Sequence, residues 1–194
     1  MANKLWDKGF KEDERIDAFT VGNDRELDHE LAPYDIMGTM AHITMLESVG
    51  LLSKEDLDKL LPVLKELYSS ACKGELYVEE DVEDIHSQIE LMLTRRLGDV
   101  GKKVHTGRSR NDQVLVDLKL YARAEIENTV HKVESLFNTL QEASERYKDV
   151  LIPGYTHLQV AMPSSFGLWF GAYAESLCDD LSICLLYTSD AADE

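Results

Sequence analysis

Positive charge is scarce in this 194-residue chain: 20 Lys and Arg stand against 37 Asp and Glu, a net charge of −17. A general binder of nucleic acid or of an anionic membrane needs a basic face, so this balance argues against both classes. Long apolar runs are missing as well. The longest, near residues 166–174, falls far short of the ~20 residues that span a bilayer, and the opening MANKLWDKGF lacks the apolar core of a secretory signal. Cysteine is limited to Cys72, Cys178 and Cys184, an odd number without metal-type spacing. That usage predicts reduced thiols in the cytoplasm rather than a disulfide framework. Neither Gly nor Pro interrupts residues 112–147, which predicts one very long helix.

Against the acidic background, residues 101–113 (GKKVHTGRSRNDQ) stand out. Between Arg95 and Arg110 lie six basic side chains and a single acid, Asp99. Arg108 and Arg110 flank Ser109, with Gly107 before and Asn111-Asp112 after, where the long helix is expected to open. Backbone N–H groups at a helix start, joined by forked guanidinium donors, suit a carboxylate or phosphate. A single Arg there would read as a solvated cap; the R-S-R-N-D run reads as an anion site.

Hydrophobic spacing organises the rest. Residues 1–24 predict an extended arm pinned by Trp6, Phe10 and Phe19. From Leu27 to Gly50 the stripe Leu31, Tyr34, Met37, Ala41, Met45 predicts a first long helix. Ser53, with Asp56 three residues on, caps a second helix whose inner face carries Leu57, Leu60, Leu61, Leu64, Leu67 and Ala71. A third is expected over Glu80–Leu97, with acids in its first turn and Gly98 as its stop. From Asp112 an apolar stripe runs from Leu115 to Tyr147 at gaps of 3 and 4. Such a rod, on the order of 50 Å long, needs a bundle to cover it, shared between subunits. Pro153-Gly154 predicts a loop reaching Pro163. A last helix follows, with a small-residue face at Gly167, Gly171 and Ala174. After Leu181 the pattern fails, so residues 182–194 are expected to be a non-native tail.

HTGRSRNDQ at 105–113 resembles the first signature stretch of the argininosuccinate lyase family, within the fumarase/aspartase superfamily. GYTHLQVAMP at 154–163 resembles the second. LWDKGF, YDIMG (34–38) and EDIHSQIE (83–90) extend the likeness over Leu5–Leu181. The resemblance implies an all-α fold, with an N-terminal helical domain over 1–111 and the truncated start of a central bundle over 112–181. It also implies cleavage of argininosuccinate to arginine and fumarate, with no cofactor or metal, by a cytoplasmic homotetramer. No nucleic-acid or membrane partner is expected. The resemblance carries His157 over as the acid–base residue, with Asn111, Thr156, Arg110 and Ser109 at the substrate. His86, which by itself reads as a structural histidine, becomes a contact at the site's mouth. The family's third signature loop would lie beyond residue 194, so the chain alone is expected to be inactive. Another fumarate-releasing lyase, or a non-catalytic structural or oligomerisation protein of the same fold, are the rival expectations.

The chemistry such a lyase needs is compact. It must hold two carboxylates, take a weakly acidic C–H proton beside one of them, and neutralise the departing nitrogen. Donors fixed on the carboxylate that receives the developing charge lower the barrier, and a poised base contributes ~10²–10⁴ in rate.

Overall fold

The computed structural model describes residues 15–16, 19, 22–80 and 82–188. Trp6, Phe10 and residues 189–194 lie outside the described residues; Phe19, expected to pin the arm, is exposed. The described chain is mostly helical, as expected, with one two-stranded sheet. It divides into two compact units between Arg123 and Ala124, a few turns inside the long helix. Among the described residues no helix is long and apolar enough to cross a membrane.

The first unit begins with α1 (Asp24–Leu27) and a 3-10 turn, Asp28–Glu30. Helices α2 (Ala32–Ser48), α3 (Lys54–Cys72) and α4 (Ile85–Leu97) follow, then the short α5 (Asp99–Lys102) and a second 3-10 turn, Lys103–His105. The start of α6 (Arg110–Arg146) completes it. Ile36, Ile43, Leu60, Leu64, Ile85 and Leu93 form the heart of its core, all fully buried. Each such side chain contributes ~1.5–3 kcal/mol of burial free energy.

Helix α3 matches its sequence reading. Ser53 Oγ accepts from Asp56 N–H at 3.1 Å and the expected leucines face inward. Helix α2 differs, because its buried face is Ala32, Asp35, Ile36, Thr39, Ile43 and Leu46, while Met37 and Met45 are exposed. The expected stripe lay one position off, since Asp35 and Thr39 interrupt the true apolar face with polar residues. Helix α4 starts five residues later than expected. Asp84 takes an extended conformation and accepts from Ser87 N–H at 2.9 Å, while Asp28 Oδ2 accepts from Ile85 N–H at 3.2 Å. Two carboxylates thus satisfy the helix start, and Glu80 and Glu83 stay outside it. Gly101 lets α5 run against α4: a Cβ there would sit 2.5 Å from the Leu93 carbonyl carbon.

The second unit holds the remainder of α6, the strands β1 (Leu151–Thr156) and β2 (Gln159–Ser165), and α7 (Phe166–Thr188). The expected loop at 153–163 is instead an antiparallel hairpin, with Pro153 opposite Pro163 and an irregularity between Pro153 and Tyr155. In a two-stranded ribbon both strands are edges, so prolines that would rule out a central strand are tolerated. The small-residue face of α7 does what its spacing suggested. Ser144 Oγ donates to Gly167 O at 2.8 Å, Ala174 is fully buried, and a Cβ on Gly167 would lie 2.6 Å from Lys148 Cα. Helix α7 continues past Leu181 to Thr188. Along α6 only Gln113 and Asp117 are buried. Leu115, Leu118 and Leu136 are exposed and Ile126, Val133 and Leu140 half-buried, so the long apolar stripe is covered only in part.

Candidate active site

Helices α2, α4 and α6 and the turn before α6 line a cavity of about 330 Å³ in the first unit. Asp35 and Thr39 come from α2, His86, Ser87 and Glu90 from α4, and Gln113 from the second turn of α6. Val104, His105, Arg108 and Arg110 complete the wall from the basic stretch. The capped α4 start aims His86 inward, and the pairs Asp35/Thr39 and Gln113/Asp117 each use the i,i+4 spacing that stacks side chains on one helix face.

The floor is a carboxylate cluster. Asp35, wholly buried, accepts on Oδ2 from both His86 Nδ1 and Gln113 Nε2. Asp117, also buried, places Oδ2 3.6 Å from the same His86 Nδ1. Asp35 Oδ1 and both Asp117 oxygens have no hydrogen-bond partner among the described residues. Two carboxylates in one buried site cannot both ionise cheaply. Burial and the charge of Asp35 push Asp117 up to about 8, against the opposing pull of His86 and Arg108. This environment favours the protonated carboxyl. Burial works against the His86 imidazolium, but the Asp35 hydrogen bond and the charges of Asp35, Asp84 and Asp117 outweigh it and raise this histidine above its ordinary value.

The wall carries the opposite sign. Arg108 Nη2 donates to Thr39 Oγ1 at 3.1 Å, and its buried Nε has no partner among the described residues. Burial lowers this guanidinium, while Asp35, Asp117 and Glu90 favour its charge. A half-buried guanidinium with a donor to spare is what a carboxylate ligand needs. His105 is held below its usual value by burial and by the Arg108 and Arg110 charges, which favours the neutral ring. Burial raises Glu90 against the same two arginines.

The sequence-predicted residues fall into two groups. His86 and Arg110 line the cavity, though the Arg110 guanidinium also reaches Asp84 Oδ2 at 3.0 Å and Ser87 Oγ at 2.8 Å. Ser109 caps α6, accepting from Asp112 N–H at 3.3 Å, and Asn111 is exposed in its first turn. Thr156 and His157 belong to the second unit, at the hairpin end. His157 and Leu158 form its two-residue loop with φ +49° and +62°. A bulky residue there is strained, and such strain clusters at functional positions. Sequence reasoning missed Asp35, Thr39, Gln113 and Asp117. Polar residues at i,i+4 on an otherwise apolar helix face were the available signal.

Asp35, His86 and Asp117 also bring donor atoms within 4.8 Å of one another, the composition of a cation site. However, His86 Nδ1 and Gln113 already engage Asp35, and Arg108 adds positive charge to the field of both carboxylates. The chain's own groups thus balance the cluster.

A family model described as lyase matches residues 8–186. The chain belongs to this lyase family. It is 65% identical over 183 residues to an argininosuccinate lyase of Parabacteroides distasonis, covering 94% of this chain and 41% of that one. With an argininosuccinate lyase of Thermotoga neapolitana the identity is 39% over 183 residues, covering 94% of this chain and 46% of the relative. The chain spans roughly two fifths of the length of the curated relatives it matches. Among solved structures, a fumarate lyase:delta crystallin from Brucella melitensis matches with TM-score 0.72 at 14% identity, covering 93% of this chain and 45% of that one. This likeness shows the fold. An EDDS lyase variant with bound fumarate matches with TM-score 0.66 at 25% identity, covering 90% of this chain and 34% of that one. The lyase-family match runs five residues beyond Leu181, so the family likeness does not stop where the sequence reading placed its end.

Proposed function

We propose that this lyase-family chain supplies part of the active site of an enzyme that cleaves argininosuccinate to arginine and fumarate. The observation that carries the reading is the cavity wall. A half-buried Arg108, whose Nε has no partner among the described residues, lines the same cavity as His86, in a chain 65% identical to a protein named argininosuccinate lyase. In the reaction a base takes a proton from the carbon beside one succinyl carboxylate. The C–N bond to the guanidino group then breaks, its electron pair leaves with nitrogen, and a proton neutralises the departing arginine. Arg108 and His86 would hold a carboxylate during these steps, and fixed charge there stabilises the carbanion-like intermediate. His157 is the proposed acid–base residue, with Thr156, Asn111, Ser109 and Arg110 as substrate contacts. The further reading, a cytoplasmic homotetramer whose active sites draw on more than one subunit, rests on the family resemblance and on the partly exposed α6 stripe.

Isotope-labelled chain titrated with argininosuccinate, aspartate and malate provides the test. Argininosuccinate should shift the amide signals of residues 104–113 and bind tightest, and Arg108→Ala should abolish those shifts. Preference for aspartate or malate would assign the site to a different lyase. Following fumarate release from argininosuccinate by the chain alone should show no turnover at the rate of a full-length relative.

A further inference from the structure

The cluster beneath the cavity has a feature that ligand binding alone does not require. His86 sits in the first turn of α4, two residues after the cap Asp84, where the positive end of the helix dipole disfavours an imidazolium. Yet three helices surround it with acids: Asp35 from α2, Asp84 at the α4 cap and Asp117 from α6, with Asp28 also within its field. The cations near the cavity, Arg108 and Arg110, come from the turn before α6 and from its first residue, as does the neutral-leaning His105 just upstream. Asp35 engages His86 at Nδ1, and Asp117 stands 3.6 Å from the same nitrogen. Both acids therefore address one side of the ring. Nε2 is the ring nitrogen left for the cavity that His86 lines.

We propose that Asp35 and Asp117 are positioning residues for His86, fixing its ring so that a charged imidazole presents Nε2–H to the cavity as a donor to a substrate carboxylate. The proposal rests on the reading of the cavity as a carboxylate site. His86 is then a charged grip rather than a proton-abstracting base, because a base needs an unprotonated nitrogen facing the substrate. Gln113 has a supporting part. Its Nε2 donates to the same Asp35 oxygen, fixing the carboxylate that fixes the ring, as a hydrogen-bonded second layer does for an imidazole held in one orientation. The raised His86 agrees with this arrangement.

The test reads the ring directly. In long-range ¹H–¹⁵N spectra of the 194-residue chain, His86 should show both nitrogens protonated at pH 7. Asp35→Asn should lower its titration midpoint by about one unit or more, the scale of removing an adjacent opposite charge, and weaken fumarate binding about tenfold. Asp35→Glu should restore part of both effects. If Asp35→Asn does not fold, Asp117→Asn decides, with a smaller fall in the same midpoint and about threefold weaker binding. A neutral His86 at pH 7, or a midpoint that neither variant moves, overturns the proposal. The ring titration needs no ligand, so the two readings fail separately. Wild-type chain that binds no fumarate, although His86 titrates as described, removes the carboxylate role and the functional reading behind it, while leaving the Asp35–His86 coupling measured.

Discussion

Ser109 and Asp112 cap the long helix in both directions: Asp112 N–H donates to Ser109 Oγ at 3.3 Å, and Ser109 N–H donates to Asp112 Oδ2 at 3.1 Å. This is a capping box with Asp in place of the usual Glu or Gln. It orients the turn that carries Arg108 and Arg110, so the residue marked as a substrate contact also has a structural task. Ser109→Ala should cost about 1 kcal/mol of stability, the usual loss for an N-cap, while Ser109→Thr should cost far less. Urea unfolding of both variants checks this. An unchanged Ser109→Ala midpoint would show that the cap does not hold the turn.

Gly101 and Leu93 define a second constraint on the same basic stretch. A methyl group on Gly101 would meet the Leu93 carbonyl carbon at 2.5 Å and Thr94 N at 2.6 Å. Both neighbours are helix backbone and cannot rotate away as a side chain would. Gly101→Ala should therefore destabilise the chain by ~1–3 kcal/mol, and it should shift the amide signals of residues 103–108 in the folded protein. A variant as stable as the parent would mean that α5 can lift off α4 without penalty.

These two positions show which parts of the fold were legible in the sequence. Regular apolar spacing and caps fixed α3 and the small-residue face of α7, because those features are local. The rest depended on partners distant along the chain. Asp35 and Thr39 look like surface residues until His86, Gln113 and Arg108 are brought to them, which is why the buried face of α2 was placed one position off. The start of α4 was misplaced for a similar reason, since Asp28, 57 residues upstream of Ile85, helps to cap it. The hairpin was hidden by its prolines. At the site, the signature stretches pointed to His86 and the 108–111 turn, whereas the acids beneath them left only the weak trace of polar i,i+4 pairs.

The Asp117 carboxyl gives stability a definite pH dependence. Its folded value of about 8 lies above the ordinary aspartate value of 3.8. Between those limits the native chain keeps a proton that the unfolded chain has released, so stability falls as pH rises. The raised His86 acts with the same sign: its contribution is full below the ordinary histidine value and is lost as pH climbs through the folded one. Asp117→Asn removes the carboxyl contribution. Between pH 5 and pH 8.5 the wild type should lose on the order of 1–3 kcal/mol more than Asp117→Asn. Urea unfolding at both pH values measures the difference. Parallel pH profiles would mean that Asp117 is already ionised at neutral pH.

The hairpin loop stores strain at the residue proposed for acid–base work. His157 and Leu158 both have positive φ, a conformation that costs a non-glycine residue roughly 1–2 kcal/mol. Leu158 is 99% exposed and gains nothing from packing in return. Leu158→Gly should therefore stabilise the chain by ~0.5–1 kcal/mol, the steric relief exceeding the entropic cost of glycine. His157→Asn should be neutral to mildly stabilising, since Asn tolerates the left-handed region, but in a complete enzyme it should remove turnover. Thermal unfolding with hairpin amides followed by hydrogen exchange separates these effects. If Leu158→Gly and His157→Asn both lower stability, the loop is not strained in solution, and the stored strain ceases to be a reason for assigning His157 a function. If both hold or raise stability, an ordinary Asn-Gly turn would have made the firmer hairpin, and the imidazole is kept there at a cost that folding does not explain.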